Sequence, residues 1–320
     1  MRRSRRRWLQ GAAALAAACG HSSDPDAPAQ GWPYPPPRMG PQWPRELDWA
    51  FDRGAFEALA KPEPGDWLAD HHEDGQDVER FVADDTNRPA RPRDTIVIQP
   101  LVMAHRAVDI ATMHPSAPEL VDWLARFFVL PVRIAEPLAI DRVRVGIRMN
   151  RGREQWNATD IDAVLRQHLP DDAYCCIGVT TTDLFPDASW NFVYGQASLS
   201  ERVGVFSLAR YDDAFFGKPP SDPMLVRRRG LGVVAHEVGH MFGMQHCVYH
   251  RCLMNGSNNQ AEADRTPLHL CAVCLRKLHL AVGFDPRARY VALAGFFRSY
   301  GLVAEQSWVE SRLADAPTPA

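Results

Sequence analysis

The spacing of apolar residues along the chain separates strand-like runs from helix-like ones. Thr95 to Leu101 and Tyr174 to Val179 are short, almost unbroken apolar runs of strand length. Val132 to Ile140, Asn191 to Tyr194 and Val203 to Leu208 read the same way. Pro118 to Leu130 instead places Leu120, Trp123, Leu124, Phe127 and Phe128 at the spacing of one helix face. Thr159 to His168 predicts a second helix, with Thr159 as its N-cap and Asp162 at the third helical position. A longer helix starts near Met224 or Leu225, and Leu268 to Val282 and Pro286 to Arg298 continue the helical pattern. Strands early and helices late predict an α+β domain, with a twisted mixed sheet and a helical C-terminal lobe.

The long helix carries the chemistry. It contains His236-Glu237-Val238-Gly239-His240, followed by Gly243 and His246. Residues i and i+4 share a helix face, so His236 and His240 can offer two imidazole nitrogens to one ion. Glycine takes the left-handed conformation of a helix end at little cost, so Gly243 predicts where the helix stops and the chain turns back. His246 then returns as a third ligand. Three protein ligands leave one tetrahedral position open, the mark of a catalytic zinc site as opposed to a structural one. Glu237 stands beside the ion without being a ligand, in the place of a general base.

A second constellation starts at the next residue. Cys247 and Cys252, with Cys271 and Cys274, form two closely spaced thiol pairs, a pattern suited to a closed, structural four-cysteine zinc site. Two disulfides, or buried free thiols, are the rival readings. Met254, shortly after the third histidine, suits a methionine turn that floors the catalytic metal. Cys175 and Cys176 lie in an apolar strand and read as buried residues.

Together these residues resemble the archaemetzincins, in which the long zinc motif is followed directly by C-x4-C-x-M and later by C-x-x-C. The resemblance extends over about residues 60 to 300, through Lys61-Pro-Glu-Pro-Gly-Asp-Trp-Leu, His72-Glu-Asp-Gly-Gln, Ile98-Gln-Pro-Leu, the stretch from Ser189 to Ser198 and Val205 to Tyr211. It is strongest with the animal-type branch. It implies a metzincin-like, two-lobed zincin: a twisted mixed sheet above, an active-site helix, and a helical lobe carrying the four-cysteine zinc below, with a cleft between. It implies two zinc ions, one catalytic and one structural, and peptide or protein substrates. It also makes Asn191 to Ala197 the candidate sheet edge against which an extended peptide would pair, with an ordinary interior strand as the other reading.

The N-terminus departs from that pattern. Residues 1 to 10 hold five arginines and no acid, and Gly11 to Ala18 is a short apolar run ending at Cys19. This has the form of a signal peptide over residues 1–19, with a twin-arginine-like core and an approximate lipobox at Ala16 to Cys19. The expected location is therefore export, to the periplasm or to a membrane through lipidation of Cys19. A Pro-rich linker over 20–45, a peptidase domain over 46–303 and a flexible tail over 304–320 complete the expected layout.

Charge narrows the partners. Without its five leader arginines the chain has 31 basic and 39 acidic residues, a net of −8, with no basic tract suited to nucleic acid. A monomer is expected. Arg227-Arg228-Arg229 could greet acidic peptides at the cleft, or simply be solvated. The function expected is peptide-bond hydrolysis by a zinc-activated water with Glu237 as base. Two rivals stand beside it: a metallopeptidase using Glu262 in place of His246, and a non-catalytic, zinc-stabilised peptide-binding protein. Tyr249 and His250 are near enough in sequence to be considered as extra oxyanion donors.

Overall fold

The computed structural model describes residues 34–84, 87–104 and 113–317, together with the backbone of Trp8–Gly11. The main sheet contains β1 (Trp8–Gly11), β2 (Thr95–Val102), β3 (Val132–Ile134), β4 (Leu138–Ala139), β7 (Ala173–Thr180), β9 (Gly195–Ser198) and β10 (Val203–Ser207). A small sheet is built from β5 (Ile147–Asn150), β6 (Arg153–Asn157) and β8 (Asp183–Phe185). The helices are α1 (Asp48–Phe51), α2 (Trp67–Asp70), α3 (Val78–Ala83), α4 (Ala117–Phe128), α5 (Ala158–Gln167), α6 (Pro223–Met241), α7 (Gln260–Asp264), α8 (Ala272–Val282), α9 (Pro286–Ser299) and α10 (Val303–Ala314).

The main sheet runs β1-β9-β10-β7-β2-β3, with β4 beside the far end of β2. Strands β10, β7, β2 and β3 are parallel, and β9 turns back antiparallel onto β10. Every residue of β7 is buried, as expected of a parallel strand covered on both faces. One face packs on α5, the other on α4 and α6. Cys175 and Cys176 point to opposite faces of the sheet, one into each of the two core clusters. The alternation of a strand thus keeps these neighbouring thiols apart.

The mixed sheet and late helices match the pattern of apolar residues, with five corrections. Val132 to Ile140 is not one strand: it breaks at Ala135-Glu136-Pro137 and ends in a 3-10 turn over Ile140–Arg142, and Pro137 has no amide hydrogen to give a ladder. The strand expected at Asn191 to Tyr194 starts later, at Gly195. The Asn191 carbonyl is instead taken by the side chains of Arg148, Asn150 and Gln155. The N-cap of α5 is Asn157, whose side chain accepts from the Asp160 amide at 3.0 Å, while the Thr159 hydroxyl donates to the Pro186 carbonyl. The expected tail is the helix α10, packed on α9 with Val309 and Arg312 buried.

The fifth correction concerns the expected linker. Its described part, from Tyr34, is seated on the domain: the Arg38 carbonyl accepts from the Val78 amide, and Met39 and Trp43 pack on the core. The leader read at residues 1–19 and the rest of the linker lie outside the described residues, apart from the β1 backbone, which pairs antiparallel with β9. Among the described residues no helix is long and apolar enough to cross a membrane.

Candidate metal centre and cleft

Helix α6 is set at both ends. Asp222 accepts from the Met224 amide at 2.8 Å, Pro223 occupies the first turn, and Gly243 at φ +80° ends the helix. The turn brings His246 back towards the helix, so that His236, His240 and His246 cluster with ring centroids 4.5 to 5.3 Å apart. Each ring is held from outside through Nδ1. His236 Nδ1 donates to the Leu253 carbonyl at 2.9 Å and His240 Nδ1 to the Met244 carbonyl at 2.7 Å. His246 Nδ1 is 2.7 Å from Glu73 Oε1.

A carbonyl can only accept, so the Nδ1 atoms of His236 and His240 carry protons and their Nε2 atoms face inward as lone pairs. These two Nε2 atoms stand 2.9 Å apart, and His246 Nε2 is buried with no hydrogen-bond partner. Burial first, then His246, lowers the His236 pKa to about 3, and burial pushes His240 well down too. Three buried imidazoles whose nitrogens converge in this way fit a divalent cation.

Glu237 is also fully buried, and neither of its carboxyl oxygens has a hydrogen-bond partner. It lies against β9: a Cβ on Gly195 would stand 2.6 Å from Glu237 Oε1. Burial first, and then Asp162, hold this carboxyl well above the usual carboxylate range. A nearby cation would act in the opposite direction. Met254 is buried against α6, its sulfur 2.5 Å from where a Cβ on Gly239 would be. An open cleft of about 630 Å³ reaches this centre, lined by Tyr194, Val233, His236, Glu237, Leu253 and Leu268 among others.

The four cysteines form a second, adjacent group. All are buried and free, and their sulfurs lie within 4.8 Å of one another. Cys247 and Cys271 Sγ are 3.6 Å apart, against about 2.05 Å in a disulfide. Hydrogen bonds from Cys252, Cys271 and Cys274 pull the Cys247 thiol well down, while burial pushes Cys252 and Cys271 up. Such a group would keep a full thiolate charge only beside a compensating cation.

Other expected residues find different places. Glu262 lies outside the histidine cluster, accepting from the Trp67 and Asn258 amides. The three arginines are neutralised: Arg227 by Glu119, Arg228 by Glu305 and Arg229 by Asp264. Arg228 and Arg229 do line the cleft, but as ion-paired walls. Tyr249 and His250 do not line it. Glu73 carried no assigned role in the sequence, although His72-Glu-Asp-Gly-Gln was already visible as a family-like segment. Burial pushes Glu73 up, but His246 and the hydrogen bonds of His246 and Trp67 bring it below its ordinary value.

Comparison with known proteins decides the family. Residues 153–280 match the model of Peptidase family M54. Archaemetzincin-2 of Pongo abelii is 34% identical over 294 residues, covering 82% of this chain and 77% of that protein. The chain belongs to the archaemetzincins. Human archaemetzincin-1 is 32% identical over 258 residues, 71% of this chain and 51% of that protein. The solved archaemetzincin of Archaeoglobus fulgidus is 27% identical, covering 57% of this chain and 99% of that one with a TM-score of 0.42. This archaemetzincin is thus a zinc-dependent metallopeptidase acting on peptides or proteins, and a non-catalytic binding role is not favoured.

Proposed function

We propose that His236, His240 and His246 hold the catalytic zinc, that Glu237 is the general base, and that Cys247, Cys252, Cys271 and Cys274 hold a second, structural zinc. The observation that carries this reading is the convergence of three buried Nε2 atoms whose rings are each anchored through Nδ1. Zinc bound there would polarise a peptide carbonyl and bring the pKa of a water towards about 7. Glu237 takes the proton of the attacking water and passes it to the departing amine. Its two unpartnered oxygens leave it free to do so. Met254 supplies an apolar floor beneath the histidines.

The architecture we infer is the two-lobed metzincin: the sheet above, helices α8 to α10 and the cysteine group below. An extended substrate would lie along the cleft and pair with the backbone of β9, on the side that strand β1 of the leader occupies in this structure. The arginine-rich leader supports export, with folding and metal loading completed before transport and Cys19 lipidated or the leader cleaved. We take the protein to act as a monomer.

The direct test is Glu237→Gln, assayed on a peptide library by mass spectrometry beside zinc analysis. The expected result is zinc content equal to the parent, at two ions per chain, with turnover lowered by about 100-fold or more. Hydrolysis at the parental rate would remove Glu237 from the reaction.

A further inference from the structure

The structure assigns Glu73, from a segment far from the zinc motif in sequence, as the positioning residue for the third histidine. This rests on the reading that His246 is a metal ligand. Glu73 Oε1 sits 2.7 Å from His246 Nδ1 and accepts from Trp67 Nε1 at 2.8 Å. With Nδ1 against a carboxylate, Nε2 is the His246 nitrogen left to offer a lone pair, and it is the atom without a hydrogen-bond partner in the histidine cluster. The Trp67 ring meets the His246 ring edge-on, with centroids 5.1 Å apart, so the imidazole is fixed by a hydrogen bond at one atom and by packing on its side. Both partners are themselves tied down. The Trp67 amide donates to Glu262 Oε1, and the Gln245 amide beside His246 donates to Gln76 Oε1.

His246 has particular need of this support. His236 and His240 ride on a helix and give their Nδ1 hydrogens to backbone carbonyls, whereas His246 follows the helix-ending turn, in a stretch without regular structure. Segment 67–76 supplies from outside the orientation that the helix gives the other two. Glu73 lies well before the region matched by the family model, residues 153–280. Outer partners of this kind typically contribute 10- to 100-fold to metal affinity.

The test measures zinc affinity by chelator competition on the full-length holoprotein, following the metal bound at the histidine centre, with melting temperature alongside. Cobalt substitution separates the centres, since only the cysteine site gives thiolate-to-metal charge transfer. Glu73→Ala is expected to weaken zinc at the histidine centre about 10- to 100-fold while leaving the cysteine centre unchanged. Glu73→Gln keeps an accepting oxygen for both His246 and Trp67, so it is expected to restore most of that affinity. A purely structural role would move melting temperature without this difference between alanine and glutamine. Parental zinc affinity in Glu73→Ala, or equal losses in both variants, would overturn the assignment. His246→Ala separates the two levels: if it leaves zinc affinity unchanged, the metal-centre reading itself fails and the role of Glu73 falls with it.

Discussion

Gly195→Ala offers a steric test of the general base without altering any charged group. A Cβ at this position would stand 2.6 Å from Glu237 Oε1, 2.8 Å from Cδ and 2.9 Å from Cγ, where ordinary contact begins near 3.4 Å. The carboxyl must therefore retreat by about 0.8 Å. The clashing atoms all belong to one unbranched side chain and none to the backbone, so the stability cost belongs at the low end of the overpacking range, about 1 kcal/mol. That corresponds to only a few degrees in Tm for a chain of this size. Catalysis should respond far more strongly, because a misplacement of about 1 Å at a reacting group can cost about 100-fold in rate. Expected, then, is kcat/KM on a quenched fluorescent peptide lower by about 100-fold, about 2.7 kcal/mol, with zinc content equal to the parent. A variant with parental turnover and full zinc would refute the idea that Glu237 acts from its place under β9. A variant that lost zinc would also refute it, since the argument requires the histidines to stay where they are.

Replacing Cys271 by Ser should remove one zinc by metal analysis and lower Tm markedly, because burying thiolates without their cation is unfavourable and metal binding contributes directly to folding; unchanged zinc content would count against a four-cysteine site. Asp162 is fully buried, and burial raises its pKa well above the usual carboxylate value. The folded state therefore holds a proton that the unfolded chain gives up above about pH 4, so stability falls as pH rises through that range. Asp162→Asn should stabilise the protein at pH 7 in urea denaturation, with the gain shrinking towards pH 4; a gain independent of pH would contradict the assignment. Because Arg228 and Arg229 are already ion-paired, acidic and neutral peptides of matched sequence should be cleaved at rates within about threefold at 0.15 M salt, where remaining surface fields are screened. A strong preference for acidic peptides would show that those pairs open.

What could be read from the sequence was local. The i, i+4 histidines, the turn at Gly243, the two cysteine pairs and Met254 all lie within 39 residues, and helix geometry with ligand chemistry places them. What escaped depends on distant partners. Glu73 meets His246 across 173 positions, and Arg228 meets Glu305 across 77; neither pairing has a local signal. Asn191 to Tyr194 has the composition of a strand, but long side chains from β5 and β6 take the Asn191 carbonyl, and Val193 makes only an isolated bridge to Leu184. The last helix was hidden by a polar composition that runs into Ala314-Asp-Ala-Pro-Thr-Pro-Ala and so reads as a tail. Its one buried aliphatic, Val309, and its Trp308, stacked on His269 with ring centroids 3.5 Å apart, suffice to dock it.

The loop from Cys247 to Asn255 is tied to the histidine group and to the cysteine group at once, and this explains why the cysteine pairs stand so close to the third histidine. The Leu253 carbonyl accepts from His236 Nδ1, while the Leu253 amide donates to the His269 carbonyl two residues before Cys271. The Cys247 amide donates to the Met254 carbonyl at 2.7 Å, and Cys252 Sγ accepts from the amides of Met254 and Cys271. Asn255 closes the loop: its side chain donates to the carbonyls of Cys247 and His250 and accepts from the Cys252 amide. A displacement of the cysteine group must therefore move Leu253, and with it the acceptor that fixes the tautomer of His236. A loop without regular secondary structure holds a ligand geometry only when something rigid defines it. A closed four-thiolate ion would supply that rigidity beside the histidine group, where a disulfide would tie only two of the four positions together. Loss of the cysteine ion should accordingly weaken zinc at the histidine centre as well, a coupling that separates this arrangement from two independent sites.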